Sequence, residues 1–403
     1  MALQSSSPAG QLSRARRSVS GYFFINGVAF SSWVARIPDI KERLGLSDGL
    51  LGAALLVAAV GTVLGLASVG RYVDQLSADS VSRWASAAVS IGLVGPGLAP
   101  NLTVLMASLM FFGLAGGAYN VSMNAQAVAV DRAYGRQIIT SFHAAYSVGG
   151  LLGSALGSLA VRLDVAPAVS FPVLAGALMA GALACGRGQV RTAAFGQPPA
   201  PGGARQRVRR LDGRLMLLGA CCFACLLAEG AIADWSGVYL REDVALSAAL
   251  APTGYMFFSV AMASGRLVAD RLAASIGAKR LVTCSALLAS GGLCTGLLSN
   301  QGTAAVIGFG VFGAGLACVM PQMFKVAGNL FPHETGRAVA AVATLGYAGL
   351  LSGPPLIGLL AHLLGLPTAL GLLVLLMLFV ALASRIITTW SSKDSRPAER
   401  PSG

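Results

Sequence analysis

Charge is what this sequence has least of. Asp, Glu, Lys and Arg together make up 11% of its 403 residues, where a soluble domain carries about 25%. That excludes a water-dissolved protein and makes lipid the solvent for most of the chain. Alternating ten-residue strands are missing too, which excludes a transmembrane β-barrel. No CxxC pair is accompanied by histidine ligands. All seven cysteines fall inside or at the ends of apolar runs, where they read as small packing residues rather than a metal or redox site. The three histidines, His143, His333 and His362, lie on different segments. Neither a phosphate-cradling GxxxxGK loop, nor HExxH, nor GxSxG occurs, so no enzyme is expected and no cofactor beyond a proton gradient. The formal net charge of +13 would suit nucleic acid, but no aromatic platform or folded basic module accompanies the arginines. Nucleic acid is therefore not an expected partner.

What is present is hydrophobic: 55% of residues, with a mean hydropathy of +0.71. Apolar runs of roughly 20 residues, the length that crosses about 30 Å of hydrocarbon as a helix, recur from Val19 to Trp390. They predict an all-α integral membrane protein with about twelve spans, near 18–36, 48–71, 81–99, 102–128, 138–161, 167–186, 214–236, 249–270, 280–298, 302–328, 337–362 and 367–389. With both termini in the cytoplasm, only Arg36, Lys41, Arg43, Arg162 and Arg241 of the 29 Lys and Arg fall on the outer side. The other 24, Arg266 among them, fall on the inner side, and this asymmetry sets the orientation. A Ser- and Arg-rich tail (1–17) precedes the first span and has no signal-peptide pattern. The basic, Pro/Gly-rich stretch 187–213 reads as a flexible inner linker touching anionic lipid headgroups. It divides an N-terminal six-helix bundle (18–186) from a C-terminal one (214–389), which is followed by a tail (390–403).

The two halves resemble each other at an offset near 200. "NGVAFSSW" (26–33) answers "EGAIADW" (229–235), and "GRYVDQL" (70–76) answers "GRLVADRL" (265–272). Gly135, Arg136, Tyr146 and Gly157 match Gly336, Arg337, Tyr347 and Gly358 at an offset of 201. Two pseudo-symmetric six-span halves are a transporter architecture, with a solute site expected near the midplane between them. Together with "GRLVADRLAASIGAKR" (265–280), these features resemble the major facilitator superfamily over nearly the whole chain. More narrowly, "SSWVARIPDIKERLGLSD" (31–48), "NVSMNAQAVAVD" (120–131), "SFHAAYSVGG" (141–150) and "AEGAIADWSGVYL" (228–240) resemble the bacterial YbjJ-like transporters. The resemblance implies a multi-pass transporter of the bacterial cytoplasmic membrane, acting as a monomer on a small-molecule solute. It also implies an inner gate in which Asp74 and Asp270 hold the cytoplasmic face shut, with Arg71, Arg83 and Arg271 around them. The first-half loop departs from the pattern: after Asp74 it reads "QLSADSVSR", without the second glycine, and Arg83 stands in for the missing basic residues.

Charges inside a span cost several kcal/mol and normally face a cavity or a partner. Glu229, about 15 residues past Arg214, falls near the midplane at 1.5 Å per residue. The resemblance implies that it faces the central cavity from a position matching Asn26. A carboxyl in such a chamber can load and release a proton, so Glu229 is the candidate proton carrier, with His143 a possible co-carrier; the alternative is a neutral acid bridging helices. Asp234, at the outer end of its span, is a candidate latch pairing with Arg36, near Asp39; alternatively the three are solvated loop-end charges. Asn120 and Asn124, four apart, share a helix face. His143, Tyr146, Ser147 and Gly150 form a polar stripe. Asn26, Asn120, Asn124 and Tyr146 offer mixed donors and acceptors for solute binding, or serve as interhelical glue. Gly149, Gly153 and Gly157 read as a packing seam, and Pro354 and Pro355 as a kink.

These features lead to a proton-coupled secondary transporter working by alternating access, with uptake and efflux both open. Drug or antibiotic efflux by proton antiport is one alternative. A transporter-fold sensor or assembly partner without turnover is the other.

Overall fold

Helix follows helix along the chain, with no strand among the described residues, which in this computed structural model are 8–72, 78–135, 138–187, 213–331 and 335–394. The first half comprises α1 (Pro8–Ala35), α2 (Ile37–Leu44), α3 (Asp48–Tyr72), α4 (Ala78–Gly92), α5 (Val94–Leu98), α6 (Leu102–Tyr134), α7 (Ile139–Arg162) and α8 (Pro167–Arg187). The second comprises α9 (Gly213–Glu242), α10 (Thr253–Ile276), α11 (Ala278–Leu298), α12 (Gly302–Leu316), α13 (Val319–Leu330), α14 (Thr335–Leu364) and α15 (Leu366–Asp394). α4 with α5, and α12 with α13, are single paths broken near Leu93 and Ala317, and α2 lies in a loop. Twelve traverses remain at the expected positions. Among the described residues, nine are long and apolar enough to cross a membrane. The other three are α1, which begins with Arg14, Arg16 and Arg17, the broken α4–α5 path, and α10, which carries Arg266, Asp270 and Arg271.

Local chemistry explains several boundaries. The short α2 has Pro38 in its first turn, Asp39 near its positive end and Lys41 and Arg43 near its negative end. It stops at Gly45, whose φ of 59° is the left-handed conformation that glycine adopts freely. Asn101 caps α6, its side chain accepting the Val104 N–H at 3.0 Å. At 33 residues, α6 is about 50 Å long and outruns the expected span 102–128. Past that end, Asp131 accepts the backbone N–H groups of Ile138 and Ile139 at 2.5 and 3.1 Å, tying α6 to the start of α7. The segment "GRLVADRL" is helical, because α10 continues past the expected end at 270 to Ile276 and the chain turns only at Gly277 (φ 84°). Pro354 and Pro355 both lie within the continuous α14.

The chain divides into two compact units, Met1–Gln206 with Ala245–Met256, and Arg207–Val244 with Phe257–Gly403. In the first, α1 packs along α7 and α3 along α6. A Cβ at Gly149 would fall on the Phe24 carbonyl, and one at Gly113 on the Ala58 carbonyl, so these seams need residues without side chains. Tyr22, Phe23, Tyr119, Phe142 and Phe171 fill the space around them. The second unit repeats the device: α14 lies along α9, and a Cβ at Gly349 would meet the Phe223 carbonyl. Trp235, Tyr239, Phe258, Phe309 and Phe312 form its aromatic core, beside the buried Cys221, Cys222 and Cys225.

Candidate functional site

In the first unit the predicted polar face is present and neutral. Asn124 Nδ2 donates to the Asn120 carbonyl at 2.8 Å and to Asn120 Oδ1 at 3.2 Å. This bond within one helix fixes Asn124 and leaves Asn124 Oδ1 and Asn120 Nδ2 without a partner among the described residues. Asn120 is exposed and Asn124 half-buried. Asn26, half-buried on α1, turns its amide toward Met123 Sδ at 3.9 Å. His143 is exposed, and its ring meets the Phe23 ring edge-on at 5.2 Å. Tyr146 is half-buried beside Gly27, whose missing side chain lets α1 approach the Tyr146 carbonyl.

The second unit holds charge where the first holds amides. Glu229 lies 16 residues after the start of α9 and 13 before its end, and Arg266 lies 13 after the start of α10 and 10 before its end. Arg266 Nη2 is 3.4 Å from Glu229 Oε2, with the two side chains 50% and 34% exposed respectively. Glu229 is therefore not wedged in dry packing. It is one half of a partly accessible ion pair. Arg266, which the sequence reading counted only among the inner-side charges, is helical and is the cation paired with that acid. The available signal was its place inside the apolar run 249–270, where an arginine is as costly as a glutamate. Asp234 is half-buried on α9, one residue before the fully buried Trp235.

One gate residue changes character. Arg36 is 3% exposed, so the picture of a solvated loop-end charge does not hold for it. Its Nε lies 2.6 Å from Asp39 Oδ2, and its Nη2 donates to the Val165 carbonyl at 2.9 Å. Arg43 donates to the carbonyls of Gly97, Pro96 and Ala99 at 2.5, 3.1 and 3.2 Å, and Lys41 pairs with Asp48 at 2.8 Å. The segment around α2 thus fastens the ends of α1, α3, α5 and α7 within one unit. Sequence reasoning did not find this role, because the acceptors are backbone carbonyls distant in the chain. On the expected inner side, Arg83 is exposed, with Nη2 3.5 Å from the Gly186 carbonyl. Asp270 and Arg271 are exposed on α10. Asp74, the Arg71 side chain and the linker 188–212 lie outside the described residues.

The profile of the Major Facilitator Superfamily matches residues 19–274 and again 220–403, so both halves carry its pattern. The chain belongs to the Major Facilitator Superfamily. It is a multi-pass membrane transporter of that superfamily, not an enzyme. An uncharacterised MFS-type transporter of Yersinia pestis is 33% identical over 367 residues, 91% of this chain and 94% of that protein. The membrane protein MosC of Rhizobium meliloti is 29% identical over 393 residues, 94% of this chain and 92% of its own. Among solved structures, a bacterial homologue of the human lysosomal transporter Spinster, inward-facing and occupied, superposes with a TM-score of 0.75 at 13% identity. That match covers 95% of this chain and 98% of that one. The nucleoside transporter NupG gives 0.68 at 13% identity, over 93% of this chain and 99% of its own. At such low identity these superfamily members establish the fold alone.

Proposed function

We propose that this superfamily member is a proton-coupled secondary transporter that moves a small organic solute by alternating access. In this reading it sits in the bacterial cytoplasmic membrane with both termini in the cytoplasm and groups with the YbjJ-like transporters. The observation that carries the coupling is the half-exposed Glu229–Arg266 pair near the middle of α9 and α10. A carboxylate at that depth is tolerated because a guanidinium neutralises it. Whatever draws Arg266 away leaves the acid to take up a proton, and restoring the pair expels it. Proton load and pair geometry are thus alternatives, which is what coupling requires. The orientation is supported by loop charge: with Arg266 taken out of the inner set, 23 of the remaining 28 basic residues still lie on the inner side.

The test is proteoliposomes loaded with a metabolite panel and driven by a pH gradient, comparing wild type with Glu229→Gln. Loss of gradient-driven flux in the variant, with exchange of solute retained, is the expected result, and the sign of the gradient that works gives the direction. Gradient-driven flux that survives unchanged removes Glu229 from the coupling role. An absence of any flux in wild type favours a sensor or assembly partner instead.

A further inference from the structure

We propose that Arg266 anchors a solute carrying a carboxylate, which takes the place of Glu229 on the guanidinium while Glu229 takes a proton. This rests on the proton-coupled reading above and adds the chemical class of the solute. The first support is the incompleteness of the pair. A guanidinium presents five N–H donors in a planar fork, and Arg266 engages one of them among the described residues, at 3.4 Å. Charge-assisted bonds of this type normally close to about 2.7–2.9 Å. The contact is long and monodentate, and among the described residues no second acceptor meets the fork that could receive a carboxylate through two parallel bonds.

The second support is exposure. Half of the Arg266 side chain and a third of the Glu229 side chain are accessible, and Glu229 lies near the middle of the long apolar α9. A charged flank at that depth faces water or a polar occupant, because hydrocarbon cannot solvate it. The more accessible partner, with the more donors to offer, is the cation, which suits an anion.

Charge conservation supplies the third. The resting pair is neutral. A carboxylate arriving on Arg266 would place two anions on one cation, an excess removed when water delivers a proton to Glu229 Oε2 and an O–H bond forms there. No other bond is made or broken. One anion and one proton enter together, and both leave when Glu229 gives its proton back to water and returns to Arg266, so the cycle is electroneutral. An amine on Glu229 has no equivalent relief, since the neighbouring guanidinium does not deprotonate. Cys225, one turn earlier on α9, also has an electrostatic contact with Glu229. Among the helices packed against α9, α12 has no ionisable side chain. Lys325 of α13, His362 of α14 and Arg385 of α15 form no ion pair with Glu229 among the described residues.

The test uses the purified full-length protein and measures melting temperature with acetate, lactate, succinate, gluconate, glucuronate and benzoate. Glucitol, glucose and glucosamine serve as uncharged and cationic counterparts. At least one carboxylate is expected to stabilise wild type where its counterpart does not. Arg266→Lys keeps the charge and loses the fork, and should weaken that carboxylate on the order of tenfold. Glu229→Gln should still bind it, and in proteoliposomes should carry it without proton movement. No response to any of the six carboxylates, equal response to the counterparts, or unchanged affinity in Arg266→Lys overturns the proposal. If protons instead drive glucose or glucosamine, the anion assignment fails while the proton-coupled reading stands. If the carboxylate crosses wild-type membranes without protons, that reading fails and takes the exchange step with it.

Discussion

In the first unit Gly149 lets α7 lie against the Phe24 carbonyl of α1, and in the second Gly349 lets α14 lie against the Phe223 carbonyl of α9. Backbone packing is thus repeated across the two halves, yet the polar groups set on it differ. The first unit offers amides, an imidazole edge and a phenol, and its fully buried guanidinium, Arg36, is locked into Asp39 and Val165. The second places a half-exposed ion pair between α9 and α10. Close helix seams tolerate almost no variation, because any side chain strikes a carbonyl. Exposed positions beside them are unconstrained by packing and free to diverge. The two halves therefore share a packing rule and differ in the polar groups set on it, amides, an imidazole and a phenol in one and an ion pair in the other.

Three experiments break or sharpen that division, beyond those on Glu229 and Arg266. The largest effect is expected from Arg36→Ala, which removes a buried guanidinium from Asp39 and from the Val165 carbonyl and should cost about 3 kcal/mol of stability. The double variant Arg36→Ala with Asp39→Ala should recover part of that loss, and thermal denaturation of the purified protein reads both. If Arg36→Ala melts like wild type but alters transport, the residue works as a gate rather than as a fastening. A smaller and symmetric effect is expected at the seams: Gly149→Ala and Gly349→Ala should each destabilise by about 1–3 kcal/mol through overpacking. A large difference between them would show that the two halves do not share the packing rule. The smallest effect on stability is expected from Asn124→Ala, about 0.6 kcal/mol or less, since its amide bonds only within α6. Its apparent solute affinity should fall several-fold in a flux assay, and a folding defect without an affinity change would make it glue.

Much of this was legible in the chain because lipid imposes simple rules. Run length and the 200-residue offset marked twelve traverses and two halves, and a glutamate in an apolar stretch drew attention to itself. Asn120 and Asn124 could be placed on one face by spacing alone. Where the reading went astray, a local pattern had been given a local meaning. The span ending at 270 proved helical to Ile276. "RIPDIKER" looked like loop-end charge and proved to be a set of ties to carbonyls more than 50 residues away, at Pro96, Gly97, Ala99 and Val165.

The sequence by itself determined the solvent, the helical class, the two-fold repeat and the unusual acid at 229, because each follows from composition or from spacing along one helix. Only the tertiary structure decided which cation answers that acid. Arg266 stands 37 residues away on another helix, and partners across a helix interface are chosen by how the backbones pack, which no single stretch of chain encodes.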